Sequence, residues 1–213
     1  MKIIKYPHSC VMIETKGKRI LIDPGNIGYK DEYFDEWNNV DVILVTHKHG
    51  DHCHKEILKE LDVKIYSTKE VADSATELNI DIAKLGDTIH IGNVKVEVVD
   101  AQHGYLPVMK GRYPKEAVGY IIDDGNKRLY HTGDTICFEN DYKADILLIG
   151  VSGRVTTTAF EASEFAKAVG AEIVIPIHME SPKHPVNAKD IEETFERENI
   201  NYKALSTGEV YEA

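Results

Sequence analysis

Three short segments of the chain are almost entirely apolar: Asp41–Val45, Asp145–Gly150 and Ile173–Ile177. A strand without alternating polar residues must be covered on both faces, so these segments predict strands inside a layered structure. Each half of the chain begins with antiparallel-strand and turn patterns and then alternates strands with helical segments. This order predicts an α+β fold in which two sheets pack face to face with helices outside, a four-layer αββα sandwich.

The remaining elements follow from local patterns. Further strand patterns are present at Lys2–Lys5, Cys10–Glu14, Arg19–Asp23, Val63–Tyr66, Thr88–Ile91, Val94–Val99, Val118–Asp123 and Arg128–His131. Helical patterns are present at Lys55–Leu61, Lys69–Leu78, Thr158–Val169 and Ala188–Arg197. Lys203–Ser206 and Glu209–Tyr211 are expected to close the chain as an edge hairpin. Because no repeat or linker is visible, residues 1–213 are predicted to form a single domain.

The charge and composition limit the classes of partner. The 36 acidic and 25 basic residues give a formal net charge of −11, which disfavours general binding to nucleic acid or anionic lipid. No apolar run approaches the roughly 20 residues of a membrane span. The polar start is unlike a secretion signal, and three cysteines favour a reducing compartment over a disulfide framework. We therefore expect a cytoplasmic protein that binds a small molecule and no nucleic acid or membrane; a homo-oligomer is compatible with the sequence.

The most informative polar segment comes directly after Asp41–Val45 and contains His47, His49, Asp51 and His52. Three imidazoles and a carboxylate within six residues are poorly explained by packing. On a turn all four side chains can converge, and such nitrogen and oxygen donors suit divalent ions such as Zn²⁺, Mn²⁺ or Fe²⁺. The other histidines outside the motifs, His54, His90 and His184, are expected to be exposed to solvent.

Three further donors follow strands elsewhere in the chain. His103 follows Val94–Val99, Asp134 follows the strand that ends at His131, and His178 follows Ile173–Ile177. Ligands of open α/β sheets bind beyond the carboxyl ends of the strands. Seven donors are enough for two divalent cations with a position left open for water. The expected cofactors are two divalent metal ions, Zn or Mn first and Fe or Ni as alternatives.

This pattern resembles the metallo-β-lactamase superfamily, whose His-x-His-x-Asp-His signature is present as residues 47–52. The resemblance extends over nearly the whole chain through Gln102-His103-Gly104, Thr132-Gly133-Asp134-Thr135 and Pro176-Ile177-His178. It implies the αββα fold of that superfamily and a dinuclear metal site. One metal would bind His47, His49 and His103, and the other would bind Asp51, His52 and His178. Asp134 would bridge the two.

The opening segments Pro7-His8-Ser9-Cys10 and Leu21-Ile22-Asp23-Pro24 are similar to one branch of the superfamily. This branch consists of metal-dependent hydrolases that resemble L-ascorbate-6-phosphate lactonase. The resemblance implies that a metal-bound hydroxide attacks an ester, lactone or phosphoester bond while the metals stabilise the oxyanion. Asp51, Asp134 and His178 are the predicted catalytic residues, although His178 and metal-bound water are equally open as the acid for the leaving group.

Basic residues near the predicted site favour an anionic substrate. Arg112 belongs to a basic loop between two donor-bearing segments, and Arg154 follows the strand Asp145–Gly150. An arginine in such a position can bind a phosphate or carboxylate through two parallel hydrogen bonds. His8, in the first turn, is expected at the edge of the site as a third substrate-binding residue.

Three other functions are compatible with the motif. A nuclease of the same fold would want a basic face or added binding domains, and the charge of −11 opposes it. A diiron redox enzyme of this fold resembles the case in which Glu replaces the second histidine and a flavin domain follows, whereas this position is His49. A metal-binding protein without enzymatic activity is the third alternative.

Overall fold

The computed structural model describes residues 1–182 and 185–213, and within these ranges the strands form two sheets. The first sheet contains seven strands: β1 (Lys2–Lys5), β2 (Val11–Thr15), β3 (Lys18–Ile22), β4 (Val42–Leu44), β5 (Ile65–Ser67), β6 (Ile80–Ile82) and β13 (Val210–Glu212). The second sheet contains six: β7 (Thr88–Ile91), β8 (Val94–Asp100), β9 (Val118–Asp123), β10 (Arg128–His131), β11 (Ile146–Gly150) and β12 (Ile173–Ile177).

Both sheets follow the same plan. The first has the order β13-β1-β2-β3-β4-β5-β6, antiparallel from β13 to β3 and parallel from β3 to β6. The second has the order β12-β11-β10-β9-β8-β7, antiparallel from β7 to β10 and parallel from β10 to β12. Hairpins therefore form one side of each sheet and crossover connections the other, as the order of patterns in each half predicts.

The main core lies between the two sheets. Alternate residues of the first sheet, such as Ile13 and Ile20, pair across β2 and β3 and face into it. Leu148 and Ile175, paired across β11 and β12, enter the same core from the second sheet. At roughly 1.5–3 kcal/mol for each large aliphatic side chain buried, this layer provides stability that does not depend on the polar edge.

Helices cover the outer faces of the sheets, which confirms the αββα sandwich. They are α1 (Phe34–Asn38), α2 (Lys55–Leu58), α3 (Lys69–Ser74), α4 (Ala159–Val169) and α5 (Ala188–Arg197), with 3₁₀ turns at Asp31–Tyr33 and Pro107–Met109. The first three cover the first sheet with Trp37, Leu58 and Val71, and the last two cover the second with Phe165 and Phe195. None of the helices within the described ranges combines the length and apolar character needed to cross a membrane.

Local signals fix the ends of α4. The Thr158 hydroxyl accepts from the Glu161 amide while the Glu161 carboxylate accepts from the Thr158 amide, which satisfies two amides at the helix start. Gly170 ends the helix with φ 75°, a left-handed conformation that glycine adopts without a Cβ clash. The predicted helix stop at Gly170 is confirmed.

The chain end and two helices differ from the sequence prediction. The closing hairpin is wrong: β13 pairs with β1, and Tyr202 instead forms an isolated bridge with Val174. The exposed edge of β1 can form backbone hydrogen bonds with the last residues as part of a larger sheet, whereas an isolated hairpin of so few residues is only marginally stable. α2 and α3 are shorter than predicted because the chain turns inward to bury Leu61 and Leu78. α1 and β6 were not predicted.

Candidate metal centre

The seven predicted donors meet at one edge of the sandwich. His47, His103, Asp134 and His178 each follow the carboxyl end of a strand: β4, β8, β10 and β12 respectively. Because the two sheets face each other, these strand ends lie at the same edge of the sandwich. The donor side chains together form one surface there, which we call the floor of the site. His49, Asp51 and His52 reach it from the turns after His47, as the compact motif predicts.

The donor atoms form two groups, and within each group they lie within 4.8 Å of one another. The first group contains His47, His49, His103 and Asp134. The second contains Asp51, His52 and His178, and His8 joins them. The division into two triads matches the expectation from the superfamily resemblance, and the position of His8 beside the second triad adds to it.

Asp134 lies between the two groups and is 2% exposed. Its Oδ2 is 3.6 Å from His103 Nε2 in the first group and 3.3 Å from His178 Nε2 in the second. Its Oδ1 is 3.1 Å from His52 Nε2. One carboxylate therefore faces donors of both groups, which is the arrangement that a bridging ligand requires.

Each predicted histidine ligand has a partner for the ring nitrogen that points away from the floor. These contacts are His47 Nδ1 with Thr46 Oγ1 (3.1 Å), His49 Nε2 with the Arg112 carbonyl (3.0 Å), His52 Nδ1 with Asp23 Oδ2 (2.7 Å), His103 Nδ1 with the Gly104 carbonyl (2.7 Å) and His178 Nδ1 with Ser152 Oγ (2.8 Å). A hydrogen bond at the outer nitrogen fixes the tautomer and leaves the inner lone pair for a metal.

Asp23 is the functional residue that sequence reasoning missed. Its Oδ1 accepts from the Thr46 amide and its Oδ2 from the Thr46 hydroxyl, both at 2.8 Å, while Oδ2 also contacts His52 Nδ1. The side chain is fully buried, and its backbone has φ 51°. Left-handed backbone at a residue other than glycine costs energy and is retained where the surroundings require it. The sequence placed Asp23 only at a strand end, in a segment similar to the branch, and gave it no role.

The loops around Asp51 approach closely at Gly25. A Cβ atom built on Gly25 would lie 1.7 Å from the carbonyl oxygen of Asp51, so this position has no space for a side chain. The loop after β3, which carries Asp23, therefore packs directly on the turn of the motif. This close approach holds Asp23 next to His52.

The electrostatics of the floor depend on burial and on the density of opposite charges. Burial opposes ionisation of Asp51 and Asp134, but the neighbouring histidines outweigh it and hold the pKa of both carboxyls below the usual range. Burial also opposes the charge on His52, yet Asp134 and Asp23 raise the pKa of this imidazole well above its ordinary value. For His47, burial dominates and lowers the pKa.

Several of the buried donor atoms have no hydrogen-bond partner among the described residues. They are His103 Nε2, both ring nitrogens of His8, and His52 Nε2 and Asp134 Oδ1, whose approach to each other at 3.1 Å does not have the geometry of a hydrogen bond. A buried polar atom without a partner costs about 1–3 kcal/mol, so such a concentration calls for a ligand. Imidazole nitrogens and carboxylate oxygens in groups of four fit divalent cations such as zinc. The residues present thus fit two metal ions.

A cavity of about 580 Å³ opens above the donors. Its floor includes His49, Asp51, His103, Asp134 and His178, and its walls include Arg112 and Arg154. Apolar side chains also line it: Ile27, Leu106, Val108, Met109 and Val155. The two predicted substrate-binding arginines therefore lie at the cavity, whereas His8 is not among its lining residues.

Three other histidines of the described residues, His54, His90 and His131, lie outside the two groups. His131 is fully buried, and its Nε2 contacts the carbonyl of Ser9 at 2.8 Å. His90 is exposed, as predicted, but His54 is half-buried and its ring lies 5.0 Å from that of Tyr29. His184 lies outside the described residues.

Comparison with known proteins agrees with this geometry. The family described as "Beta-lactamase superfamily domain" matches residues 2–178. A UPF0173 protein of Pyrococcus furiosus is 33% identical over 189 residues, which cover 84% of this chain and 83% of the relative. A UPF0173 metal-dependent hydrolase of Nanoarchaeum equitans is 34% identical over 189 residues with the same coverage. The chain belongs to the UPF0173 metal-dependent hydrolases of the metallo-β-lactamase superfamily.

A solved structure shows the same fold across the full UPF0173 chain. A metallo-hydrolase of the archaeon Ignicoccus hospitalis matches with a TM-score of 0.80 and 22% identity, and the alignment covers 100% of this chain and 98% of the other. This structure confirms the predicted fold. The family match and the relatives confirm the predicted superfamily and the enzyme class of a metal-dependent hydrolase. The alternative of a metal-binding protein without enzymatic activity is not supported.

Proposed function

We propose that this protein binds two divalent metal ions and hydrolyses an ester, lactone or phosphoester bond of a small anionic molecule. The observation that carries the proposal is the position of the two donor groups: Asp134 of the first group also lies within 3.3 Å of His52 and His178 of the second, and both groups contribute to the floor of a cavity with Arg112 and Arg154 in its walls. A cavity of about 580 Å³ is of the size that small-molecule sites have.

The proposed ligands divide between the two groups. His47, His49 and His103 would hold one cation, and Asp51, His52 and His178 the other. Asp134 would contact both, and its negative charge would offset part of the repulsion between two nearby dications. Nitrogen-rich groups with carboxylates suit Zn²⁺ or Mn²⁺, and Fe²⁺ or Ni²⁺ would find acceptable ligands in the same set.

When bound, two divalent cations lower the pKa of a coordinated water and stabilise negative charge on the attacked oxygen. Hydrogen bonds orient the side chains that would hold them. Ser152 Oγ holds His178 through Nδ1, and the carbonyl of Arg112 holds His49 through Nε2. Since Asp51, Asp134 and His178 line the cavity, we propose them as the residues closest to the reacting bond.

The walls of the cavity support an anionic substrate with an apolar part. Arg112 and Arg154 are exposed at its rim, where a carboxylate or phosphate can pair with a guanidinium without losing all of its water. Leu106, Met109 and Val155 provide apolar contact beside them. A lactone or phosphoester of the kind implied by the resemblance to L-ascorbate-6-phosphate lactonase combines these features.

Paired substrates test this proposal. We expect the double variant Arg112→Ala/Arg154→Ala to raise KM about tenfold for a phosphorylated or carboxylated lactone, roughly what the loss of two partly exposed ion pairs would cost. Hydrolysis of the matched neutral lactone should change little. The control is Arg197→Ala at the end of α5, which should affect neither substrate. Equal losses on both lactones, or no loss on the anionic one, would contradict the anion-binding role.

A further inference from the structure

His8 is a buried histidine without a hydrogen-bond partner for its ring. It is 1% exposed, and neither Nδ1 nor Nε2 makes a hydrogen bond among the described residues, although Glu180 Oε2 and Asp51 Oδ2 approach them at 4.0 and 3.4 Å respectively. It does not line the cavity, so the expected contact with substrate does not explain it. A neutral imidazole always has one donor and one acceptor nitrogen, and burying both without partners is unfavourable unless something else binds there.

The ring of His8 faces the second donor group. Its Nε2 is 3.4 Å from Asp51 Oδ2, and its ring centre is 4.0 Å from that of His178. The ring centre of His52 lies 5.9 Å away. The ligand atoms of these four residues lie within 4.8 Å of one another. Donors about 2.1 Å from a shared cation lie up to roughly 4.2 Å apart, so shifts of a few tenths of an ångström would complete the set.

The backbone holds His8 in this position. Its φ is 62°, and its carbonyl accepts from the Lys5 ammonium at 2.8 Å and from the His178 amide at 3.3 Å. His178 itself has φ 61°, so two left-handed residues are tied together where the first turn meets the end of β12. Strained backbone of this kind is found at ligand-binding positions more often than elsewhere.

A carboxylate lies near the outer nitrogen of His8. Glu180 Oε2 is 4.0 Å from His8 Nδ1, and Glu180 Oε1 is 3.2 Å from the ammonium of Lys5, which is 1% exposed. At His52 the outer nitrogen contacts Asp23 at 2.7 Å and the inner nitrogen faces the floor. At His8 the carboxylate is on the same side but farther away, and its Oε2 accepts from the Met179 amide at 3.2 Å, so Glu180 must move closer to form the equivalent hydrogen bond. Histidines that bind metals usually have such a carboxylate or carbonyl partner.

We infer that His8 is a further ligand of the second metal ion, beside Asp51, His52, His178 and the shared Asp134, that it binds the ion through Nε2, and that Glu180 orients it through Nδ1. This inference rests on the proposed dinuclear site. With Asp134 shared, the second cation then has five protein ligands, His8, Asp51, His52, His178 and Asp134, whereas the first has four. Fewer positions stay free for water or substrate at the second cation, so the substrate meets the first cation in preference.

Zinc titration of the metal-free protein against a fluorescent chelator tests the ligand. His8→Asn removes the imidazole and keeps a residue that tolerates left-handed backbone. We expect it to weaken one of the two zinc constants about 100-fold and to leave the other unchanged, with Glu180→Gln weakening the same constant about tenfold. His54→Ala removes a half-buried histidine next to the motif and serves as the control with two unchanged constants.

A second measurement uses the unaltered protein and does not depend on how the variants fold. In ¹H–¹⁵N spectra of histidine side chains, Nε2 of His8 should shift to the range of zinc-bound nitrogen once two equivalents of Zn²⁺ have been added. Two equivalents bound with an unshifted His8, or with unchanged constants in His8→Asn, would overturn the inference and leave the proposed function intact. Uptake of a single equivalent by the unaltered protein would overturn both.

Discussion

Replacing Asp23 with Asn tests whether the buried carboxylate orients His52. The amide has nearly the same shape as the carboxylate, and asparagine tolerates the left-handed backbone that Asp23 has at φ 51°. The change therefore removes one charge and one acceptor without disturbing the turn. Both oxygens of Asp23 are in use, one for the Thr46 amide and the other for the Thr46 hydroxyl and His52.

The amide of the Asp23→Asn variant cannot satisfy these contacts in either orientation, which sets the size of the effect. If its NH₂ group faces the Thr46 amide, two donors oppose each other. If it faces His52, Nδ1 must accept and the proton moves to Nε2, the nitrogen that faces the metal floor. Losing one charge-assisted hydrogen bond costs about 1.5–3 kcal/mol of stability. Outer partners of metal ligands contribute about 10–100-fold to affinity, so the second cation should bind that much more weakly.

The assay combines urea unfolding of the metal-free protein with zinc titration. Asp124→Asn is the matched control. Asp124 lies in the turn between β9 and β10, is also buried, and accepts a hydrogen bond from a threonine hydroxyl, that of Thr15. It should lose similar stability and keep both metal constants. Unchanged metal constants in Asp23→Asn, or an equal loss of metal affinity in the control, would refute the role of Asp23 in orienting His52.

Three further outcomes follow from the same geometry. Asp134→Asn should fold normally, bind one cation much more weakly and lose on the order of 100-fold in hydrolysis rate, measured by elemental analysis and turnover. Because the pKa of His52 is raised in the metal-free protein, metal loading should release protons and apparent affinity should rise with pH, which an indicator dye detects. Burial raises the pKa of the Cys53 thiol to about 12, and Cys10 is also buried, so a thiol reagent should modify exposed Cys137 first, as mass spectrometry of digests would show.

The donors that the sequence predicted have a common reason for being predictable. His47, His103, Asp134 and His178 each follow a strand pattern, and strand ends in a layered fold meet at one edge. His49 belongs to the same short motif as His47, so their proximity is local. The resemblance to a known superfamily supplied the division into two groups, which spacing alone leaves open.

The features that the sequence did not show depend on contacts between distant segments. Asp23 and His52 are 29 positions apart, and Lys5 and Glu180 are 175 apart. No local pattern marks an aspartate as the partner of a given histidine, because the pairing exists only after β3 and the motif pack together. The pairing of β13 with β1 has the same character, since it joins the two ends of the chain.

The position of bound metal tests the central claim most directly. We predict that an anomalous difference map from crystals of the zinc-loaded protein contains two peaks in each chain. One peak should lie among His47, His49 and His103, the other among Asp51, His52 and His178, with Asp134 between them. A single peak at full occupancy, or peaks away from these side chains, would contradict the account.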